Sequence, residues 1–511
     1  MSGSVGRLNA PRKRLALRVL DAVERAGNRL PAPLTLFAIF CVLVAAVSFV
    51  ASKAGVSVVH PGTGQRVGVV NLLNAAGLRR MLVEAVSNFA AFPPLGTVLA
   101  VTLGIGVAER SGLISAALRG LVAAVPRPLL PAAIVFAGVN ASLAADAGFV
   151  VLLPVGAMIF AGAGRHPLAG LAAAFAGTAG GFSANLLVTS LDPLLGGLTQ
   201  AAARLVDPDY VVEATANWWF MIASTFLLTI LGTWVTTRVV EPRLGPWQGE
   251  AAAQPSMSLE PHERRGLRAA AVAALAGTLL GALLVVPDGA PLRGEGGSLE
   301  PFYRSIVALL TFGFLGVGLA YGIAARTIRS DHDVEKMTGD TLGTMGTYIA
   351  LAFVAAQFVA WFGWSNLGIV LAVKGAGGLR AAGLTGVPLV VGFVIVSASI
   401  NLLIASASAK WAVLASVFVP MLMLVGWSPE TAQAIYRVGD SITNPVTPLM
   451  PYYPLVLTVA HRYDRKAGVG TMLSLLLPYS AAFFVGWTAL LVVWLLLGIP
   501  LGPGAPLHWA P

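Results

Sequence analysis

The sequence predicts an all-α polytopic membrane protein, with about nine transmembrane helices and two re-entrant helical hairpins. Three observations lead there. Composition is the first: hydrophobic residues make up 57% of 511 and charged residues 11%, with mean hydropathy +0.80, which overrides the several soluble domains that length alone suggests. The second is a series of apolar runs of membrane-spanning length joined by short basic loops. The third is a pair of apolar stretches broken by polar and ionisable residues, 140–195 and 401–457. Hydrocarbon offers no water to freed backbone groups, so broken helices persist only when buried in protein or lining a cavity.

Residues 1–31 carry Arg7, Arg12, Lys13, Arg14, Arg18, Arg25 and Arg29 against Asp21 and Glu24. This basic flank predicts a cytoplasmic N-terminus. The apolar run at 33–51 is too long for a signal peptide and lacks a small-residue cleavage site, so it reads as a retained first span. Residues 52–83 read as a polar external loop, and a second span covers 89–107. Residues 32–135 are assigned to the scaffold. Residues 136–200 form core repeat 1, a hairpin followed by a broken helix. Residues 201–383 return to the scaffold, with a span at 218–235 anchored by Trp218 and Trp219 and a cytoplasmic linker at 238–268. Further spans are expected at 267–286, 305–325 and 342–361. The segment 364–384 is cut by Lys374 and Arg380 and reads as shallow or interfacial. Core repeat 2 occupies 384–460. The last helix and a tail without Lys or Arg fill 461–511, which predicts an external C-terminus and an odd number of crossings.

The two broken stretches share one pattern: polar break, apolar run, Pro-marked turn, apolar run, polar break with Asn. Laid over one another, Asp146 falls on Ser408 and Pro167 on Pro429. After a three-residue slip, Gly181 falls on Asp440, Asn185 on Asn444, and Asp192 on Pro451. Matching interruptions in two halves of a membrane chain point to a substrate site in a secondary transporter. The halves share a frame but not charges, so two equivalent cation sites need not follow.

Arg437 offers a planar fork for a carboxylate. Its alternative is an ion pair with Asp440, three residues on along the same helical face. Asp192 and Asp440 are candidates for ion coupling. Sodium would take oxygens from unwound backbone, Asn185, Asn444, Thr443 and an Asp, whereas a proton needs only an Asp with a raised pKa. The clustering of Asn and Thr at both breaks favours sodium. Lys410 either helps to hold an anion or snorkels to the interface. Asp146 reads as a solvated hairpin tip rather than a polar gate. Pro445, Pro448 and Pro451 remove backbone donors and keep their segment unwound.

The net charge of +10 is spread over loops beside spans and is not a nucleic-acid footprint. Cys41 alone excludes an intrachain disulfide or a Cys-based metal site. The six His show no HExxH spacing, and there is no GxSxG or Ser/His dyad in the apolar runs, so an intramembrane enzyme is disfavoured and no cofactor is expected.

The strings GLRRMLVEAVSNFAAFPPLGTVLAVTLGIGVAERSGL (77–113), ANLLVTSLDPLL (184–195), NLLIASASAKWA (401–412) and YRVGDSITNPVTPLMPYYPL (436–455) resemble the AbgT family, the p-aminobenzoyl-glutamate transporters. ERAGNRLPAPLTLF (24–37) is similar as well. The resemblance implies a homodimer in the bacterial cytoplasmic membrane, with nine membrane helices and two hairpins per protomer in a core and a scaffold. It implies transport of p-aminobenzoyl-glutamate, and for some members export of sulfonamide antimetabolites. It places substrate contacts at Asp192, Ser408, Arg437, Asp440 and Pro448, and the coupling cation near Asn185 and Asn444. A dicarboxylate carrier of similar hairpin architecture is the neighbouring alternative.

Overall fold

The computed structural model describes residues 33–59, 65–123, 125–247, 259–294, 297–404, 406–447, 450 and 452–510. The basic N-terminal segment, Pro448 and Pro451 lie outside the described residues, as do the side chains of 144–147, Asp146 among them.

The described chain is helical throughout, apart from one small antiparallel ribbon, Ser57–Val59 with Arg66–Gly68. That ribbon and the helix Ala75–Val83, capped by Asn74, replace the irregular loop expected at 52–83. Six helices among the described residues are long and apolar enough to cross a bilayer: Trp218–Leu244, Pro261–Val285, Ser305–Ala325, Gly346–Trp364, Ala407–Leu424 and Val469–Leu496. Five further apolar helices are shorter. The helix from Trp218 runs on through a π-turn, Thr236–Val240, to Leu244, so the first residues expected in the linker belong to a membrane helix. Asp331–Thr344 is a helix with a Ser330/Asp333 capping box, where only a connecting stretch was expected. The interrupted segment beyond 364 forms the 15-residue helix Leu367–Ala381, packed against Ala407–Leu424.

The core consists of two helical hairpins, each followed by a broken helix. The first hairpin pairs Leu130–Val139 with Ala145–Gly162, and the second pairs Gly386–Asn401 with Ala407–Leu424. Both second arms have 18 residues, and both succeeding helices start at a proline in the first turn, Pro167 and Pro429. Proline is tolerated there because that N–H has no helical partner anyway. The first broken helix is Pro167–Phe175, a π-turn at Ala176–Gly180, a break, then Leu191–Ala203. The second is Pro429–Ile442, a 3₁₀ turn at Asn444–Val446, then Tyr453–Tyr463.

The frame therefore holds through both hairpin arms and helices, with starts at 145 and 407 and at 167 and 429. The three-residue slip falls after the helix ends. By that frame Thr178, not Gly181, stands at the place of Asp440. Gly181 could not have carried a side chain there, since a Cβ would lie 2.6 Å from Gly177 O and 2.7 Å from Val139 Cγ2.

The two Pro-marked turns face opposite ways. The turn before Pro167 meets the end of the Trp218 helix, with Arg165 paired to Glu241 and the His166 ring 5.2 Å from Trp247. The turn before Pro429 meets the C-terminal tail: Ser428 N donates to Leu507 O at 3.0 Å, and Trp427 stacks on His508 at 4.8 Å. The helix Val469–Leu496 runs between these faces. Arg243, from the first face, donates to Ser474 O near its start. At 1.5 Å per residue its 28 residues span about 42 Å, a full membrane thickness. Opposed entry of the hairpins is what inverted repeats produce.

Burial separates the core from its surroundings. Every residue of Pro167–Phe175 and Pro429–Ile442 is buried. On Pro261–Val285 only Gly266 and Ala270 are buried, while Val272, Leu275, Leu279 and Leu283 are exposed. An apolar helix bare on most of its surface suits lipid. In lipid, helix association relies on close packing at small residues rather than on the hydrophobic effect. Gly439 does this in the core. A Cβ there would sit 2.5 Å from Ser397 Cβ and 2.6 Å from Val394 O.

Candidate substrate and ion site

The second hairpin and the two helix breaks converge on Pro429–Ile442, and the tip of the first hairpin bonds to the first break. This helix carries Arg437 and Asp440 in a fully buried setting. The alternative reading of Arg437, a pair with Asp440, does not hold in the structure. Arg437 Nη2 meets Asp192 Oδ1 at 2.6 Å, and Lys410 Nζ meets Asp440 Oδ1 at 2.5 Å. The helix belongs to the second repeat and packs against the first, so each charge reaches a partner on a different element instead of its own helical neighbour. A buried ion is stabilised only by a close partner with further hydrogen bonds, and both pairs meet that demand.

Asp192 sits in the first turn of Leu191–Ala203. Its Oδ2 accepts from Thr189 N at 2.6 Å and Thr189 Oγ1 at 2.9 Å. Arg437 Nη2 also donates to Ser183 O at 3.2 Å, within the first break. Arg437 therefore bridges the repeats. Its Nε has no partner among the described residues and is buried, so one edge of the fork remains for an incoming acceptor.

Lys410 does not snorkel. Its ammonium is fully buried and donates to Asn401 Oδ1, to Ile404 O at 3.1 Å and to Asp440. Tyr436 OH donates to Ala407 O at 2.6 Å and lies 3.1 Å from Asp440 Oδ1. Asp440 Oδ2 has no partner among the described residues. Ser408 is half-buried in the first turn of the second arm, one residue past Ala407.

The expected cation ligands fall into two groups. At the second break, Asn401 Nδ2 reaches Asp440 O at 2.6 Å, Thr443 Oγ1 at 2.9 Å and Asn444 Oδ1 at 2.8 Å. Asn444 Nδ2 in turn donates to Ala179 O at 3.1 Å, tying the second break to the first. At the first break, Ser142 Oγ bonds Asn185 Oδ1, and Asn140 Oδ1 accepts from Leu186 N at 3.1 Å. Asn185 Nδ2 and Ser183 Oγ are buried without a partner among the described residues. Asn185 thus bonds within the first break, while Asp440, Thr443 and Asn444 gather about Asn401.

Sequence reasoning missed Asn401, Tyr436 and Trp411. The Trp411 and Tyr436 rings stack at 4.3 Å with 20° between planes, giving an aromatic wall beside the ion pairs. Trp411 Nε1 donates to Thr199 Oγ1, which donates to Gln433 Oε1, and Gln433 Nε2 donates to Asn217. One signal was available: Tyr436 and Asp440 are four apart on one helix, hence on one face.

The family model of the AbgT putative transporter family matches residues 18–509. The chain belongs to the AbgT family. It is 40% identical over 485 residues to the p-aminobenzoyl-glutamate transport protein of Escherichia coli (strain K12), covering 94% of this chain and 95% of that one. Among solved structures, it is similar to the YdaH transporter of Alcanivorax borkumensis, described as having an unusual topology, with TM-score 0.88 and 46% identity over 93% of this chain and all of that one. It is also similar to MtrF of Neisseria gonorrhoeae, described as illuminating a class of antimetabolite efflux pumps, with TM-score 0.91 and 47% identity over 96% of this chain and all of that one. This AbgT chain is accordingly a multi-pass membrane transporter and not an enzyme.

Proposed function

We propose that this transporter moves p-aminobenzoyl-glutamate, or related folate-derived anions that join an aromatic ring to an amino acid, across the bacterial cytoplasmic membrane, coupled to a cation gradient. The observation that carries this reading is the meeting of Arg437, Asp192, Lys410 and Asp440 beside the Trp411–Tyr436 stack, at the junction of two opposed hairpins. Such an anion needs a forked cation for a carboxylate and an aromatic slot for its ring. Arg437 with its unengaged Nε supplies the first, and the stacked rings supply the second. The E. coli relative's name supports the substrate class.

A substrate carboxylate competes with Asp192 for Arg437, which couples occupancy to the contact between repeats. Ser408 and Pro448 are assigned to the substrate side. Asn185, Asp192, Asp440, Thr443 and Asn444 at the two breaks are assigned to the coupling cation, with sodium at Asn185, Asn444 and Asp440. The N-terminus is assigned to the cytoplasm, the C-terminus to the outside, and the working unit to a homodimer. Movement of the two hairpins and broken helices against the remaining helices gives alternating access.

The test is uptake of labelled p-aminobenzoyl-glutamate into proteoliposomes under separately imposed sodium and proton gradients, for wild type and Asp440→Ala. Accumulation driven by sodium and lost in the variant is expected. Proton-driven accumulation would retain the substrate and overturn the sodium assignment. Competition by succinate without p-aminobenzoyl-glutamate transport would replace the substrate class with dicarboxylates. The likeness to MtrF favours one second reading, export of sulfonamide antimetabolites. The same vesicles distinguish it by the direction of labelled sulfamethazine flux.

A further inference from the structure

We infer that Thr199, Gln433 and Asn217 are positioning residues for the aromatic wall of the site. They form a one-way hydrogen-bond chain that holds the Trp411 indole against Tyr436 and ties its setting to the first turn of Pro429–Ile442. The inference rests on the substrate reading above and deepens it by naming the residues that set the slot for the substrate's ring.

Every link of the chain is buried. The indole Nε1–H can only donate, and it gives its hydrogen to Thr199 Oγ1 at 2.9 Å. At the far end a backbone carbonyl can only accept, and Glu430 O takes the Asn217 Nδ2 hydrogen at 2.9 Å. These two ends fix the groups between them. Asn217 must turn its oxygen to Gln433, whose Nε2 donates to it at 3.0 Å. Gln433 therefore presents Oε1 to Thr199, whose hydroxyl donates to it at 2.6 Å. Leu195 O, one turn back at 2.7 Å, shares that hydrogen. The Thr199 lone pairs are left for the indole. Flipping either amide sets two oxygens against each other. Chains that run in one sense strengthen each bond, and an interruption leaves buried groups unpaired.

The wall is thereby fixed on both sides. Tyr436 donates to Ala407 O at 2.6 Å, and the Trp411 ring stacks on it at 4.3 Å. The Nε1–H is the one polar handle on the indole. The chain also joins the elements that carry the charges. Thr199 lies two turns beyond Asp192 on Leu191–Ala203, and Gln433 lies one turn before Arg437 on Pro429–Ile442, so each pair shares a helix face. The two helices meet at a charged contact, Asp192–Arg437, and at a neutral one, Thr199–Gln433. A substrate carboxylate that draws Arg437 from Asp192 leaves the neutral contact in place, and the ring slot stays set while the charges rearrange.

The test measures p-aminobenzoyl-glutamate uptake and the indole bands of the near-ultraviolet circular dichroism. Full-length protein carries Thr199→Val in the wild-type and Trp411→Phe backgrounds, and size-exclusion profiles certify folding. Thr199→Val keeps the side-chain shape and removes the hydroxyl. It is expected to raise KM about fivefold, the order that one hydrogen bond supports, with the maximal rate nearly unchanged, and to alter the indole bands. Thr199→Ser is expected to retain wild-type KM and bands. In the Trp411→Phe background no indole hydrogen remains to be held, so Thr199→Val is expected to change neither KM nor the bands further. Unchanged KM and bands in folded Thr199→Val would overturn the inference. So would a spectral change of equal size in both backgrounds, or a fall in maximal rate with KM held, since either makes Thr199 a packing residue. Thr199→Ala takes its place if Thr199→Val does not fold. If Trp411→Phe is inactive, the spectra alone decide the cycle. If wild type takes up no p-aminobenzoyl-glutamate, the substrate reading fails, and the spectral cycle still decides whether the chain sets the ring.

Discussion

Arg437 and Asp192 illustrate what a buried pair demands of its two residues. Each side chain is almost wholly enclosed, so losing one partner strands a charge where water cannot reach it. Arg437→Ala and Asp192→Ala are each expected to lower stability by about 3–5 kcal/mol. Arg437→Met with Asp192→Leu replaces both charges by apolar groups and is expected to recover most of that loss. Thermal midpoints of the three variants in one detergent decide it; an equal drop in the double variant would show that packing of the long side chain, not the charge, is what matters. Arg437→Ala is also expected to weaken p-aminobenzoyl-glutamate binding more than sodium binding. Unchanged substrate affinity in a folded variant would leave Arg437 as a tie between repeats and nothing more.

At the scale of elements, close helix approach and helix starts set the core. Gly439→Ala is expected to cost about 1–3 kcal/mol, because its Cβ meets the Ser397 side chain and the Val394 carbonyl. Gly277→Ala, on the exposed helix with nothing within 4 Å, is expected to be neutral or slightly stabilising. Equal midpoints for the two variants would mean the helices slide to make room. The first Pro-marked turn carries a pH dependence. His166 Nδ1 accepts from Leu168 N at 3.3 Å. Burial lowers its pKa from the ordinary 6.5, opposed by the charge of Asp464. The folded state therefore favours the neutral ring. This stabilisation is complete above the unfolded pKa and is lost as pH falls through about 6.5 toward the lower folded value. The thermal midpoint is expected to fall over that window in wild type and to stay flatter in His166→Asn, which keeps an oxygen acceptor at the cap.

For the whole molecule the prediction concerns movement. Leu367–Ala381 packs on the second hairpin arm, and a Cβ at Gly375 would lie 2.6 Å from Met421 Sδ. Cys41, the sole cysteine, is removed by Cys41→Ala. Gly375→Cys with Met421→Cys then places a cross-link between core and surround. Oxidation is expected to stop uptake while p-aminobenzoyl-glutamate binding persists, and reduction to restore it. Full transport by fully cross-linked protein would exclude rigid movement of the hairpin past this helix.

The sequence by itself determined the class, the membrane setting and the two interrupted repeats, and it singled out Asp192, Arg437 and Asp440, which the structure buries. Composition and spacing carry those, because a chain in hydrocarbon must satisfy its backbone within helices and can break them only where something else compensates. Its motifs also carried the family. Tertiary structure alone decided which charge meets which. Arg437 and Asp440 are neighbours along one helix, yet they turn to Asp192 and Lys410, more than two hundred residues before the first and thirty before the second. It also decided that Lys410 is buried against Asp440 and Asn401 and that Asn401 gathers the second break. The physical reason is that buried charges settle with the nearest partner in three dimensions. Distance along the chain predicts such partners only within a single helix.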